Sequence, residues 1–272
     1  MKGRVLIVAG SDSGGGAGIQ ADIKAVTMLD GFAATAITAL TAQNTEGVFG
    51  ILPIAPDFIR LQMSVVLDDI GADAVKTGML HDSAVIETVT SVLEEKAPSV
   101  PLVVDPVMVA KGGAKLIEDS AIDALKHRLA PRAAVMTPNL PEAEILCGRA
   151  IGSVDAMKSA AEVLMRLGCR AVLLKGGHLP GEALTDVLAT ADGFRTWESR
   201  RIDTRHTHGT GCTLASAIAA GLAQGLAIED AVDRARIYVM RAILGAPGFG
   251  RGHGPLDHSH PLHEAAGRIG GA

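Results

Sequence analysis

"VLIVAGSDSGGGAGIQAD", residues Val5–Asp22, joins an apolar run to a glycine-rich loop and then to a stretch that can form a helix. The β-branched run predicts a buried strand over Val5–Ala9, and four glycines between residues 14 and 18 let the backbone approach a flat ligand closely. The loop has neither the G-x-G-x-x-G spacing of a dinucleotide site nor the glycine-lysine-serine/threonine ending of a P-loop. A ligand-carrying loop and an ordinary flexible loop both stay open.

The same order of short apolar run, loop and amphipathic stretch recurs along the chain. Strands are predicted over Val5–Ala9, Ala36–Leu40, Ala74–Lys76, Leu102–Asp105, Ala134–Thr137 and Ala171–Lys175. A helix with an apolar stripe is predicted from Ile228 to Ile243. This alternation predicts an α/β fold of three layers, α/β/α, around a central and mostly parallel sheet.

A hairpin interrupts this alternation near the middle of the second half. Thr185–Thr190 and Phe194–Glu198 flank Asp192-Gly193, which predicts an antiparallel edge closed by an Asp-Gly turn. The chain shows no internal repeat, low-complexity tract or linker, so we expect a single domain over residues 1–272.

Composition excludes some classes of partner. Lys plus Arg is 25 against 30 for Asp plus Glu, a net charge of −5 without any basic block, so we expect no nucleic-acid partner. The apolar opening Val5–Ala9 is too short to span a bilayer, so no membrane partner is expected. The 3 cysteines are an odd number without paired spacing, which is typical of a reducing compartment. We therefore expect a soluble cytoplasmic protein.

Chemistry-bearing residues follow the predicted strands, where ligands bind in sheets of this kind. In "TPNLPEAE", Asn139 and Glu142 can hold Mg²⁺, partly through water, beside phosphates. An Asn cap with a Glu favoured by the helix dipole is the alternative.

Asp105 in "VVDPVM" can reach a metal or a substrate hydroxyl, or cap the next loop. Lys175 in "LLKGGH" offers a compact charge for phosphate, or is a surface lysine.

"HGTGCTLASAIAAGL", residues 208–222, gives the strongest local signal. Gly209 and Gly211 let the backbone around Thr210 bind an anion, and a helix from about Cys212 adds its positive end. A helix N-terminus lowers the pKa of a thiol, whereas bound phosphates raise it, so we expect a partly ionised Cys212 near neutral pH. A small buried hydrophobe is the alternative.

Taken together, the ordered segments closely resemble the bacterial hydroxymethylpyrimidine kinase/phosphomethylpyrimidine kinase family of thiamine synthesis, within the ribokinase-like superfamily. The segments that carry the resemblance are "AGSDSGGGAGIQAD", "TALTAQNT", "KTGML", "DPVM", "TPNLPEAE", "LKGGH" and "THGTGCTLASAIA". No single segment is specific, but the ordered set is, and with the C-terminal "GHGPLDHSH" it covers almost the whole chain.

The resemblance implies a ribokinase-like fold and an ATP- and Mg²⁺-dependent kinase that phosphorylates 4-amino-5-hydroxymethyl-2-methylpyrimidine and then its monophosphate. Family members are commonly homodimers. The turn with Gly209, Thr210 and Gly211 corresponds to the superfamily's G-x-G-D anion hole, with Cys212 in place of aspartate as the proposed base. Gln43 would bind the ring nitrogen and amino group of the pyrimidine.

The resemblance also implies roles for residues elsewhere in the chain. The pyrimidine pocket would include Gly10, Asp22, Met79 and Val107. The metal–phosphate element would include Asn139 and Glu142, with Asp105 serving either the metal or the acceptor hydroxyl, and Lys175 would face the phosphates.

Three alternatives stay open from the sequence. Some vitamin B6 kinases are similar to this family, and a few retain the cysteine, so a pyridoxal kinase is one. A non-catalytic binder of the pyrimidine or of a B6 vitamer is the second. The third is a thiol hydrolase with Cys212 as nucleophile, near His206 and His208. The histidines at 253, 258, 260 and 263 could form a metal tail, but we expect them to be solvated.

Overall fold

The computed structural model describes residues 1–108, 118–177, 179, 181 and 183–263, and its named strands form one nine-stranded sheet. The strands are β1 (Arg4–Asp12), β2 (Phe32–Gln43), β3 (Val48–Pro53), β4 (Ala74–Thr77), β5 (Leu102–Val104), β6 (Ala133–Met136), β7 (Val172–Leu174), β8 (Ala183–Thr190) and β9 (Gly193–Arg200). Their order across the sheet is β3-β2-β1-β4-β5-β6-β7-β8-β9.

The sheet is parallel at its centre and antiparallel at both edges. The six strands from β2 to β7 in the sheet order pair in parallel, which confirms the predicted central sheet. The hairpin of β8 and β9 forms one edge, as predicted. The other edge is β3, which pairs antiparallel with β2 and which the sequence pattern does not predict. Its sequence VFGILP contains Gly50 and ends at Pro53, and both residue types weaken a strand pattern.

The turn of the edge hairpin differs from the prediction by one residue. Thr190 pairs with Gly193, so Ala191 and Asp192 form the two-residue loop, and the predicted Asp192-Gly193 turn is wrong. Gly193 has φ 121°, a backbone conformation that favours glycine.

Eight α-helices in the described residues cover the sheet. They are α1 (Gly18–Met28), α2 (Pro56–Asp69), α3 (Ser83–Lys96), α4 (Asp119–Ala124), α5 (Leu140–Cys147), α6 (Val154–Met165), α7 (Thr210–Ala223) and α8 (Ile228–Leu244). After α4 come a π-helical turn over Leu125–Leu129 and a 3-10 turn over Ala130–Arg132. None of the helices in the described part of the chain has the length and apolar character to cross a bilayer.

The alternation of side chains along β1 divides the core into two halves. Leu6 and Val8 pack with α2, α3, α5 and α6 on one face of the sheet. Val5 and Ile7 pack with α1, α7 and α8 on the other face. This arrangement confirms the predicted three layers.

Small residues let α7 approach its neighbours closely. Its residues 213–221 are buried, and a Cβ added at Gly221 would lie 2.7 Å from the Cβ of Ala231 in α8. This packing fixes the position of α7, whose N-terminus lies at the carboxyl edge of the parallel strands.

The C-terminal histidines have two kinds of environment. His253 and His263 are exposed, but His258 and His260 are buried, so the prediction that all of them are solvated is wrong. Tyr238 of α8 holds this segment, because its hydroxyl donates to the His258 carbonyl at 3.1 Å and its ring lies 4.8 Å from that of His260. Among the described residues, no group of three His, Cys, Asp or Glu side chains could hold a metal ion.

Candidate active site

One cavity of about 370 Å³ gathers the residues that the sequence singles out. It lies where the parallel strands end. The last residues of β1, β2 and β4 line it, together with segments that follow β1, β4, β5, β6 and β7 and with the start of α7. Every predicted site residue lines it except Asp22; those that do are Gly10, Gln43, Met79, Asp105, Val107, Asn139, Glu142, Lys175, Gly209, Thr210, Gly211 and Cys212. His178 of the "LKGGH" segment and residues 264–272 of the predicted domain lie outside the described residues.

The turn before α7 has the geometry of an anion site. Gly209 is the N-cap of α7 with φ 81°, and a Cβ there would overlap the carbonyl of Gly16. A Cβ at Gly211 would lie 3.2 Å from Lys175 Nζ, so the backbone comes close to this ammonium group. The helix begins at Thr210, slightly earlier than predicted. The positive end of α7 and a lysine therefore meet at one wall of the cavity.

The Cys212 thiol is half-buried and lines the cavity. Burial raises its pKa to about 12; the carboxylates of Asp22 and Asp105 act in the same direction, while the Lys76 ammonium opposes them. The prediction of a partly ionised thiol is therefore wrong, because desolvation outweighs the helix N-terminus and the nearby cation.

Lys76 is a site residue that the sequence analysis misses. Its Nζ donates to Asp22 Oδ2 at 2.8 Å, and both side chains are fully buried. Ser216 of α7 donates to the other oxygen, Asp22 Oδ1, at 2.7 Å. Burial opposes the charge of Lys76, but attraction by Asp22 and Asp105 outweighs it and raises the pKa of Lys76.

The ion pair explains where Asp22 lies. Lys76 lines the cavity and Asp22 does not, so Asp22 stands behind the wall and acts on the cavity through Lys76. A Cβ at Gly78 would come within 3.1 Å of Lys76 Nζ, so the glycine makes room for the ammonium group. The signal in the sequence is a lysine that ends an apolar strand, directly before "TGML".

Asp105 and Lys175 form a second ion pair in the wall of the cavity. Lys175 Nζ lies 3.1 Å from Asp105 Oδ1, and the Thr137 hydroxyl donates to the same oxygen at 3.2 Å. Attraction by Asp105 and Glu142 outweighs burial and raises the pKa of Lys175, so it is a cation.

Asn139 and Glu142 form the capping box of α5. The Glu142 N–H donates to Asn139 Oδ1 at 2.9 Å, and the Asn139 N–H donates to Glu142 Oε2 at 2.8 Å. The structure therefore shows the helix cap that the sequence analysis left open as the alternative to a metal site. Burial raises the pKa of Glu142 to about 7, which Lys175 opposes and Asp105 reinforces.

These carboxyl groups fit the requirements of Mg²⁺. Two carboxylates that repel each other line the same cavity, Asp105 and Glu142. Mg²⁺ binds proteins through one or two carboxylates and completes its shell with water and phosphate oxygens. The donor set is therefore compatible with a magnesium ion beside bound phosphates.

A buried network holds the first glycine loop. Asp12, at the end of β1, accepts the N–H groups of Gly14, Gly16 and Ala17 at 2.8–3.0 Å. Its Oδ2 also lies 2.9 Å from Nε2 of His208, which in turn lies 3.3 Å from Nε2 of Gln43. His208 is thus engaged by Asp12, and this bond gives no support to a thiol hydrolase with His208 as the base.

A family model described as phosphomethylpyrimidine kinase matches residues 12–257. The chain belongs to the phosphomethylpyrimidine kinase family. It is 47% identical to the hydroxymethylpyrimidine/phosphomethylpyrimidine kinase of Bacillus subtilis over 256 residues, with 94% of each chain covered. It is also 52% identical to the thiamine biosynthesis bifunctional protein ThiED of Geobacter sulfurreducens, with 94% of this chain covered, and it spans 52% of that longer protein.

Solved structures of this kinase family and of pyridoxal kinases share the fold. The ADP complex of Bacillus subtilis pyridoxal kinase is 38% identical with a TM-score of 0.89, over 97% of this chain and 99% of that one. Phosphomethylpyrimidine kinase from Clostridium difficile is 41% identical with a TM-score of 0.79, over 89% of this chain and 100% of that one. The ribokinase-like fold that the resemblance implies is therefore confirmed.

Proposed function

We propose that the chain is an ATP- and Mg²⁺-dependent kinase of 4-amino-5-hydroxymethyl-2-methylpyrimidine and then of its monophosphate, which yields the pyrophosphate for thiamine synthesis. One observation carries the proposal: the glycine turn, Lys175 and Gln43 line a single cavity. An anion site and an amide that can bind a heterocycle then face the same space. The names of the relatives point to the same substrates.

The phosphoryl group would be received at the start of α7. In phosphoryl transfer, charge spreads over the oxygens of the migrating group, so fixed donors and cations lower the barrier. The N–H groups of the Gly209–Cys212 turn and the Lys175 ammonium supply them here. Mg²⁺ held near Asp105, Asn139 and Glu142, partly through water, would neutralise phosphate charge.

The acceptor would lie over the first glycine loop. Gly10 makes room for a flat ring, because a Cβ there would lie 2.7 Å from Met79 Cε. Gln43 would fix the orientation of the ring, next to Val107. The hydroxymethyl oxygen would then attack the γ-phosphoryl group in line, and the Cys212 sulfur, in its minor ionised form, would accept the alcohol proton.

A second candidate is a pyridoxal kinase. The observation in its favour is the TM-score of 0.87 with the Staphylococcus aureus pyridoxal kinase in complex with AMP-PCP and pyridoxal, at 33% identity. The higher identities, 43–52%, are to the pyrimidine kinases and ThiED, and they favour the first candidate.

A coupled ATPase assay with hydroxymethylpyrimidine, its monophosphate and pyridoxal tests the proposal. We expect turnover with the first two and much less with pyridoxal. Preference for pyridoxal would select the B6 kinase, and absence of ATP turnover with all three would indicate a non-catalytic binder.

We also propose a cytoplasmic homodimer. All three cysteines are free thiols, in keeping with a reducing compartment. Large apolar side chains are more than half exposed on β3 and α2; they include Phe49, Leu52, Phe58, Leu61 and Val65. An exposed set of this kind is typical of a surface that a second copy covers.

A further inference from the structure

The Gln43 amide has two neighbours that determine its orientation. Its Oε1 is placed 3.1 Å from Thr41 Oγ1, and its Nε2 is placed 3.3 Å from His208 Nε2. The oxygen and nitrogen of an amide have nearly the same shape, so the donors and acceptors around them decide which atom faces which neighbour.

His208 presents a donor to this amide. Its Nε2 lies 2.9 Å from Asp12 Oδ2, which also accepts the N–H groups of Gly16 and Ala17. Burial acts to raise the pKa of Asp12, but the hydrogen bonds from His208 and from the backbone outweigh it and hold the pKa below its ordinary value. An ionised carboxylate can only accept, so His208 Nε2 carries a hydrogen. That one hydrogen points to Asp12 at 2.9 Å and is shared with Gln43 at 3.3 Å only if an oxygen faces it, so the oxygen of the Gln43 amide belongs on this side, in the position given above as Nε2.

Thr41 presents an acceptor. Its hydroxyl donates to the carbonyl of Ser11 at 2.9 Å. A hydroxyl has one hydrogen, so when that hydrogen goes to Ser11 at 2.9 Å, Thr41 Oγ1 accepts from Gln43 across 3.1 Å instead of donating to its Oε1. The amide nitrogen therefore faces Thr41, and the two neighbours require the same orientation of the amide.

The His208 ring has little freedom to change this arrangement. The residue is 8% exposed, and its backbone N–H donates to the carbonyl of Gly254 at 3.2 Å. A Cβ at Gly16 would lie 3.3 Å from Pro255 and would collide with the ring, so the glycine and the proline enclose it.

We propose that His208, backed by Asp12, and Thr41 are positioning residues that lock the Gln43 amide and thereby select the acceptor ring. The locked amide leaves one N–H and one oxygen lone pair for a ligand. These match a ring nitrogen beside an exocyclic amino group, as in an aminopyrimidine. A pyridine without the amino group can satisfy only one of the two. The inference rests on the proposed function and adds how that site discriminates between rings.

Steady-state kinetics with three acceptors test the proposal: the hydroxymethylpyrimidine, its analogue without the amino group, and pyridoxal. We expect His208→Leu and Thr41→Val each to raise KM for the aminopyrimidine about 10- to 100-fold, with a smaller change in kcat, because a polar group in the site loses its partner. KM for the other two acceptors should change little. His208→Gln keeps an N–H near the position of Nε2 and should restore the preference. His127 is exposed and does not line the cavity, so His127→Leu is the matched control.

Two results would overturn the inference while the proposed function stands. One is an equal loss with all three acceptors in His208→Leu and Thr41→Val, which would indicate a purely structural role. The other is a His208→Gln enzyme as unselective as His208→Leu. If the unmodified protein does not phosphorylate the aminopyrimidine, the proposed function fails, and the inference fails with it.

Discussion

At Cys212, the local motif and the surrounding structure shift the pKa of the thiol in opposite directions. The helix N-terminus and Lys76 favour the thiolate, whereas burial and two carboxylates favour the thiol, and the pKa of about 12 shows that the second group is stronger. A proton acceptor with this pKa is mostly protonated at neutral pH, so its action depends on the small ionised fraction.

This dependence predicts different pH profiles for the two phosphorylation steps. Initial rates with the alcohol should rise about tenfold per pH unit from pH 7 to 9, because the thiolate fraction rises by that factor below the pKa of the thiol. The monophosphate is already largely deprotonated there, so its rate should stay nearly flat. Cys212→Ala should remove the slope and slow the first step much more than the second. Equal losses with both acceptors would reject Cys212 as the base.

The buried pair of Lys76 and Asp22 should dominate the stability of the site. Lys76→Met leaves a carboxylate buried without its cation, and we expect the free energy of unfolding in urea to fall by about 3–5 kcal/mol. Lys96 pairs with Asp68 at 2.8 Å on the surface, so Lys96→Met is the matched control and should cost about 1 kcal/mol or less.

The double variant Lys76→Met/Asp22→Leu removes both charges and should recover part of the loss. A cycle in which the two single effects simply add would contradict a coupled pair.

At the scale of elements, a glycine turn fixes where α7 begins. Gly209 and Gly225 have nearly the same backbone angle, φ 81° and 82°, but only Gly209 has backbone against the position of a Cβ. Gly225→Ala should cost about 1–2 kcal/mol from the left-handed backbone alone. Gly209→Ala should cost more and abolish turnover, because the turn must move away from Gly16. Equal unfolding free energies for the two variants would show that the contact with the first loop is unimportant.

The helix that carries Asn139 and Glu142 illustrates what a motif leaves open. "NLPE" is compatible with a metal site and with a capping box, and the hydrogen bonds show the capping box. The same box holds Glu142 in the cavity beside Asp105, so the cap and the proposed role near phosphate share one geometry. Sequence spacing cannot separate them, because both need the same residues at the same turn.

At the scale of the whole molecule, the exposed apolar side chains of β3 and α2 predict self-association. We expect light scattering to give the mass of a dimer, and Phe49→Ser with Leu52→Asp to give a monomer. Leu244, which is 65% exposed at the end of α8, gives the control Leu244→Ser, which should stay dimeric. A monomeric mass for the unmodified protein would contradict the proposal.

The sequence by itself determined the parallel sheet, the hairpin edge and half of the residues that line the cavity. Alternating apolar runs specify strands locally, and each loop after a strand carries its own polar residues. Only the tertiary structure decided the charge state of Cys212, the buried pair of Lys76 and Asp22, and the link from Asp12 through His208 to Gln43. These depend on burial and on contacts between residues as far apart as positions 12 and 208, and desolvation and hydrogen-bond partners are properties of the packed chain.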